Sequence, residues 1–152
     1  TVVALFVYGI SGILGTVIGS KFVDKHTSAA LVIPLFIVTC SLASITMLAP
    51  HWNAFLVMAV FWGASTTAVI LAFQTILLRY AKDAADVATA LFSGIFNIGI
   101  GGGAFLGSHL SVAFGFSSLG YAGAGLVGIC LLGCLILWIT KGNAILGGQE
   151  KV

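Results

Sequence analysis

Short clusters of charged residues alternate with long apolar runs along this chain. The ten charged residues fall in three short clusters, and the stretches between them are almost wholly apolar. The clusters are Lys21, Asp24 and Lys25; Arg79, Lys82, Asp83 and Asp86; and Lys141, Glu150 and Lys151. Apolar runs of about 20 residues can cross a hydrocarbon core of roughly 30 Å as helices, whereas barrel strands would be about half as long and strictly alternating. The pattern therefore predicts an all-α integral membrane protein.

Five runs are long enough to span a membrane. We place the helices near residues 1–20, 29–49, 53–78, 87–114 and 119–140. Polar residues at the boundaries are expected to cap the helices: Thr27 or Ser28, Asn53, Asp83 or Asp86, and Ser117 or Ser118. Pro50 should stop the second helix, and Pro34 should cause at most a local kink.

The basic residues predict the orientation of the five spans. All six Lys and Arg residues lie in the first connection, the third connection or the C-terminal tail. With alternating crossings these three segments share one side, which the positive-inside rule assigns to the cytoplasm. The C-terminus should therefore be cytoplasmic.

The composition limits the classes of function that the chain can have. The chain is 60% hydrophobic and 7% charged, with a mean hydropathy of +1.20, so the lipid bilayer is its expected surroundings and nucleic acid is not an expected partner. Neither a catalytic triad nor a metal-ligand motif is present, and the cysteines at 40, 130 and 134 lie inside apolar runs without a His or carboxylate at metal spacing. We expect no enzyme activity, no metal and no cofactor. The odd number of spans and the start at Thr1 indicate part of a larger protein.

The fourth span carries two different faces. Ser93 and Asn97 belong to a stripe of small and polar residues, with Asn97 at mid-span. An amide in hydrocarbon is costly without a partner, so Asn97 should face a cavity, or else make a hydrogen bond to another helix. On the opposite face the glycines repeat every four residues and should allow close helix packing. These are Gly99, Gly103 and Gly107.

Weaker polar stripes occur on the third and first spans. On the third span Thr67 and Gln74 share a face flanked by Trp62. Amides beside aromatic rings suit sugars, which offer hydroxyl groups and apolar ring faces, although ordinary packing would also explain these residues. On the first span Ser11 adjoins Gly15 and Gly19, a pattern that indicates either close packing or a hinge.

His109 lies near the outer end of the fourth span. It could face a water-filled cavity and titrate there, or it could be an interfacial residue.

Two segments resemble a known transporter family. The stretch from Gly19 to His26 reads GSKFVDKH and is similar to the second-half loop motif of the major facilitator superfamily, with Ser20 where a second glycine is usual. Residues 83–104 read DAADVATALFSGIFNIGIGGGA and closely resemble the eleventh span of bacterial sugar efflux transporters in the drug–proton antiporter branch. The five helices would then be spans eight to twelve of a twelve-span carrier.

The resemblance implies a function. Such carriers of the bacterial inner membrane export arabinose-like or thiogalactoside-like sugars, and proton antiport by alternating access would drive the export. The eighth, tenth and eleventh spans would line the cavity, which makes Ser11, Gln74 and Asn97 candidate residues. Asp24 and Lys25 would form a conformational loop. The remaining N-terminal half of the carrier would be a required partner.

Three alternatives stay open. The chain could belong to a carrier for drugs or other small solutes. It could be a self-assembling membrane protein or scaffold whose glycine faces join copies, or a non-transporting remnant that anchors a partner. An anchor would have no need of Asn97 or Gln74.

Overall fold

Five long α-helices form the protein. The computed structural model describes residues 2–25, 27–48 and 50–141, excepting the side chains of residues 24, 25, 27, 28 and 141. The helices are α1 (Val2–Lys25), α2 (Thr27–Leu48), α3 (Trp52–Tyr80), α4 (Ala85–Phe114) and α5 (Ser117–Lys141). Each contains a stretch long and apolar enough to cross a membrane, and the described residues contain no strand. The predicted all-α membrane fold is confirmed.

Helix ends differ from the predicted boundaries. α1 continues to Lys25 rather than ending near Ser20, so the first connection is shorter than expected. A 3-10 turn over Lys82–Ala84 separates α3 from α4. α4 has 30 residues and is about 45 Å long at 1.5 Å per residue, so it exceeds the hydrocarbon thickness unless it tilts.

Three of the predicted side-chain caps are wrong. The residue before α3 is His51, not Asn53, and its side chain makes no capping bond. Ala84 precedes α4 without a side-chain cap, so neither Asp83 nor Asp86 caps that helix. Helix ends at a membrane surface can be satisfied by water instead, which removes the need for a side-chain cap.

The turn before α5 is formed around Gly115 and Ser118. The Ser118 hydroxyl donates to the Gly115 carbonyl oxygen at 2.7 Å, so it acts as a donor at the turn. Gly115 makes this short connection possible because its φ of 80° lies in the left-handed region that favours glycine. The side chains of Thr27 and Ser28 lie outside the described part of the chain.

The buried core lies at one end of the bundle. It joins the last turns of α1 to the first turns of α2 and the second halves of α3 and α5. Its buried members are Val23, Ala30, Leu31, Leu35, Val69, Ala72 and Leu131. Because these helix ends meet, the spans alternate in direction and the segments that carry Lys21 and Arg79 share one end of the bundle.

α4 stands apart from the other four helices. Ala88 is its one buried residue, and the large apolar side chains along it are exposed. These include Leu91, Ile95, Ile98, Ile100, Phe105 and Leu106. α1, α2, α3 and α5 therefore form a bundle, and α4 has only sparse contacts with α3 and α5.

Candidate functional site

α1 and α3 meet in a close interface built on glycines. We call it the α1–α3 seam and define it by Tyr8, Ser11, Gly12, Gly15 and Gly19 facing Gly63, Ala64, Thr67 and Ala68. A Cβ on Gly63 would lie 2.6 Å from the Tyr8 carbonyl oxygen, and one on Gly15 would overlap the Ala64 carbonyl group. Only glycine permits such backbone approach, so Gly15 and Gly19 pack in the way their spacing suggests.

Ser11 lies inside this seam and not in a cavity. Its side chain is 2% exposed, and its hydroxyl donates to the Tyr8 carbonyl oxygen at 2.7 Å. The small side chain fits beneath Gly63, where a larger one would separate the helices. The expectation that Ser11 lines the cavity is therefore corrected to a packing role.

Thr67 also belongs to the seam. Its hydroxyl lies 2.9 Å from the Gly12 carbonyl oxygen on α1 and 3.1 Å from the Gly63 carbonyl oxygen on its own helix. Because the Thr67 hydroxyl lies between the backbones of the two helices, its hydrogen bonding stabilises the contact between α1 and α3. The prediction that Thr67 lines a cavity is therefore corrected to a structural contact between α1 and α3.

Replacing Thr67 with valine should weaken the seam modestly. Valine keeps the shape but loses the bond to Gly12, so we expect a loss of about 1 kcal/mol in unfolding free energy. Thr66→Val is the matched control, since the Thr66 hydroxyl donates to the Trp62 carbonyl oxygen of its own helix at 2.7 Å. Titration of the purified protein with denaturing detergent measures both. Equal losses in the two variants would contradict the interhelical role.

The predicted polar stripe of α3 is covered by α1 over most of its length. Gly63 and Thr67 face α1, and Gln74 near the other end is exposed. Within the described part of the chain, Gln74 makes no hydrogen bond to another residue. Within this polar stripe, Gln74 is therefore the residue whose amide group is open to a partner.

Trp62 lies well away from Gln74. The two residues are twelve positions apart on α3, or about 18 Å along the helix axis. The Trp62 ring meets Tyr8 edge to face, with centroids 5.1 Å apart. Its other surroundings form a groove of about 540 Å³ between α2, α3 and α5, which also contains Phe55 and Phe116. Trp62 and Gln74 are therefore too far apart to bind the same sugar ring, and the contact with Tyr8 agrees with the alternative of ordinary packing for Trp62.

α4 places Asn97 and Ser93 on open surface. The Asn97 amide N–H donates to the Ser93 carbonyl oxygen at 2.8 Å, and both residues are exposed. This local bond satisfies one amide proton and leaves the carbonyl oxygen and the second proton free for a partner. Of the candidate residues, Asn97 is the one that combines mid-span depth with open hydrogen-bonding capacity.

His109 is also exposed on α4. Its Nδ1 lies 3.0 Å from the Phe105 carbonyl oxygen, and its ring is 4.4 Å from the Phe105 ring. Both contacts are within the helix, so His109 is not brought to another candidate residue. Its role in a cavity stays a prediction.

The glycine face of α4 meets almost nothing in this chain. Gly99 and Gly103 have open space where a Cβ would stand, and Gly107 has only the Leu119 side chain at 3.7 Å. The expected close packing is therefore not made among the described residues, because α4 is turned away from the bundle. Any helix that packs on this face comes from elsewhere.

Asp24 and Lys25 form the last turn of α1 in the structure. The expected loop is therefore helical at these two residues. Their side chains lie outside the described part of the chain, so their proposed part in a conformational change stays a prediction.

The family follows from comparison with known proteins. A family model described as Major Facilitator Superfamily matches residues 2–150. The chain belongs to the major facilitator superfamily. This is a family of membrane transporters and not of enzymes. Transporters of this superfamily are built from bundles of membrane-spanning helices, which agrees with the five long apolar helices of this chain.

One feature of this superfamily member has no signal in the sequence: Phe55 and Phe116 share a groove with Trp62. Tyr8 and Gly12, by contrast, fall on the α1 face that carries Gly15 and Gly19, as helical spacing predicts, and both lie in the seam. The groove residues come from separate helices and a turn, and no spacing within one segment could have joined them.

Proposed function

We propose that the chain forms part of a bacterial inner-membrane carrier that exports sugars in exchange for protons. The observation that carries the proposal is the pair of exposed amides, Asn97 on α4 and Gln74 on α3. An amide left in hydrocarbon costs several kcal/mol, so both side chains need protein, water or substrate in the assembled carrier. Amide groups both donate and accept, as sugar hydroxyls do.

The charge distribution favours a neutral solute over a cationic drug. The Asp, Glu, Lys and Arg residues lie in clusters near helix ends or in the tail, and none lies near Asn97 or at the middle of a described span. A cavity wall without fixed charge offers no counter-ion to a cation, whereas it can bind hydroxyl groups through hydrogen bonds. Arabinose-like and thiogalactoside-like sugars match this chemistry.

The proposed mechanism needs helices beyond these five. The exposed face of α4 and its unpacked glycines support completion by further spans of the same carrier, including an N-terminal half. The two halves would rock about a site at mid-membrane and expose it to each side in turn. Because no carboxylate occupies the middle of the described spans, the proton-binding acid would lie elsewhere in the carrier. The basic clusters would face the cytoplasm, and so would the C-terminus.

Transport into inside-out membrane vesicles tests the proposal. The intact carrier is expressed in cells, and vesicles are energised so that the lumen becomes acidic. We expect labelled arabinose or a labelled thiogalactoside to accumulate several-fold, and a protonophore to abolish the accumulation. Vesicles from cells without the carrier are the control.

Each other outcome contradicts part of the proposal. Accumulation of a cationic dye without sugar would indicate a drug exporter. Sugar accumulation that survives the protonophore would exclude proton coupling. No transport of either solute, with the carrier present in the membrane, would favour a scaffold or remnant.

A further inference from the structure

Ser65 on α3 contains a buried hydroxyl group without a partner. The residue is 7% exposed, and its hydroxyl makes no hydrogen bond within the described part of the chain. The next two residues, Thr66 and Thr67, each donate to the carbonyl oxygen four positions earlier, as hydroxyl side chains in a helix can. Because an unpaired polar group is costly in surroundings of low polarity, Ser65 needs a partner that these contacts do not supply.

Pro34 leaves a backbone acceptor on α2 without its usual donor. The proline lies inside α2, where the N–H of each residue normally donates to the carbonyl oxygen four residues earlier. Proline has no N–H, so the carbonyl oxygen of Ala30 loses this bond. Since helix carbonyls point along the axis toward the residue four positions on, the Ala30 oxygen lies on the side of α2 that carries the proline ring.

These two polar groups open on the same recess. The recess lies between α1, α2 and α3, and Ala30, Pro34, Phe61 and Ser65 are among the residues that line it. No side-chain oxygen of the described residues is both fully enclosed and unpaired. The Ser65 oxygen therefore reaches accessible space, and the recess is the space that Ser65 lines. A hydroxyl group and a carbonyl oxygen thus share one recess without a direct hydrogen bond between them.

Water matches the hydrogen-bonding chemistry of this pair. The Ser65 hydroxyl can donate to a water molecule or accept from it, and the Ala30 carbonyl oxygen can accept from it. Polar groups too far apart for a direct bond are often bridged by one water, and two such partners are enough to hold it. An apolar occupant would leave both groups unpaired, which is the costlier arrangement.

We propose that one water molecule bridges the Ser65 hydroxyl and the Ala30 carbonyl oxygen. The water replaces the backbone hydrogen bond that Pro34 removes, and it joins α2 to α3 near the middle of the membrane. Spanning helices tolerate proline where ordered water and neighbouring hydroxyl groups satisfy the freed backbone, and this site supplies both. It is separate from Asn97 and Gln74 and does not depend on the transported solute.

X-ray footprinting of the intact carrier in lipid vesicles tests this site. The X-ray pulse converts bound water into hydroxyl radicals, which oxidise the side chains beside it, and mass spectrometry locates the oxidised residues. Phe61 lines the recess one turn before Ser65, whereas Phe36 on α2 does not line it. The two rings are similarly exposed, at 51% and 58%. We expect Phe61 to be oxidised about threefold faster than Phe36, because a water held by two partners stays beside it.

Two variants should each remove the excess oxidation of Phe61. Ser65→Ala deletes the hydroxyl group, and Pro34→Ala restores an N–H that pairs the Ala30 carbonyl oxygen within α2. Ser41→Ala is the matched control, since Ser41 is a buried serine, 3% exposed, that does not line the recess. It should leave the oxidation of Phe61 unchanged. Should Ser65→Ala fail to fold, Pro34→Ala decides the question, because it adds a backbone bond to α2 and removes none.

Three results would overturn the proposal. Equal oxidation of Phe61 and Phe36 would show that the recess holds no bound water. An excess at Phe61 that survives Ser65→Ala or Pro34→Ala would show that the two groups do not hold the water between them. Loss of the excess in Ser41→Ala as well would indicate a general change in helix packing and not a local site.

Discussion

Gly15→Val is expected to destabilise the carrier by about 3 kcal/mol, the upper end of the usual range for overpacking a core. The first carbon of the new side chain would overlap the Ala64 carbonyl group, which is backbone and cannot rotate away. α1 and α3 would have to separate, and the Thr67 bond to Gly12 would be lost with the seam. A lower midpoint in detergent titration and a lower abundance in the membrane should both result.

Gly9→Val is the control for this prediction. Gly9 lies on the same helix, but nothing lies within 4 Å of the position that its Cβ would take. Both variants change the helix propensity of the chain in the same way, so the difference between them isolates the seam. Equal stability of Gly15→Val and Gly9→Val would show that α1 and α3 do not pack as described.

Replacing Asn97 with alanine should reduce export about tenfold or more. A hydrogen bond between the amide group and a sugar hydroxyl that is lost in a cavity costs about 1 to 3 kcal/mol, and each 1.4 kcal/mol corresponds to a factor of ten. Since the hydrogen bond that Asn97 makes among the described residues lies within its own helix, membrane abundance should not change. Initial rates of sugar uptake into inside-out vesicles, divided by the amount of carrier, give the measurement.

Thr89→Ala is the matched comparison on α4. The Thr89 hydroxyl donates to the Ala85 carbonyl oxygen at 2.8 Å, so it makes the same type of local bond as Asn97 while lying near the helix end. We expect this variant to export at nearly the normal rate. Loss of abundance in Asn97→Ala would instead show that the amide is needed for assembly, and similar rates in both variants would exclude a substrate contact.

The helices could be predicted from sequence because the bilayer imposes a single length scale. Each apolar run between charge clusters is long enough to cross the bilayer, and the structure contains a helix at each of the five predicted runs. Their ends were less predictable: α1 continues to Lys25 and α4 begins at Ala85, because water at the membrane surface can satisfy the backbone groups of a helix that extends beyond the hydrocarbon. Charge clusters mark where a span leaves hydrocarbon, not where its backbone stops being helical.

The candidate site was less predictable than the fold. A serine or threonine in a span looks the same in sequence whether it faces a cavity or another helix. Ser11 and Thr67 lie in the seam, while Asn97 is open. The neighbours that decide between these outcomes come from other helices, and the spacing within one helix contains no information about them.

The separation of α4 from the bundle has a consequence for how the carrier is made. A spanning helix satisfies its own backbone and is stable once inserted, and association with neighbours is a later step. Four helices can assemble with one another directly, whereas α4 makes few contacts with them and would dock only against helices outside the described part of the chain. We therefore expect α4 to be the last of the five helices to dock during biogenesis. A partly assembled carrier would then expose α4 to quality-control proteases.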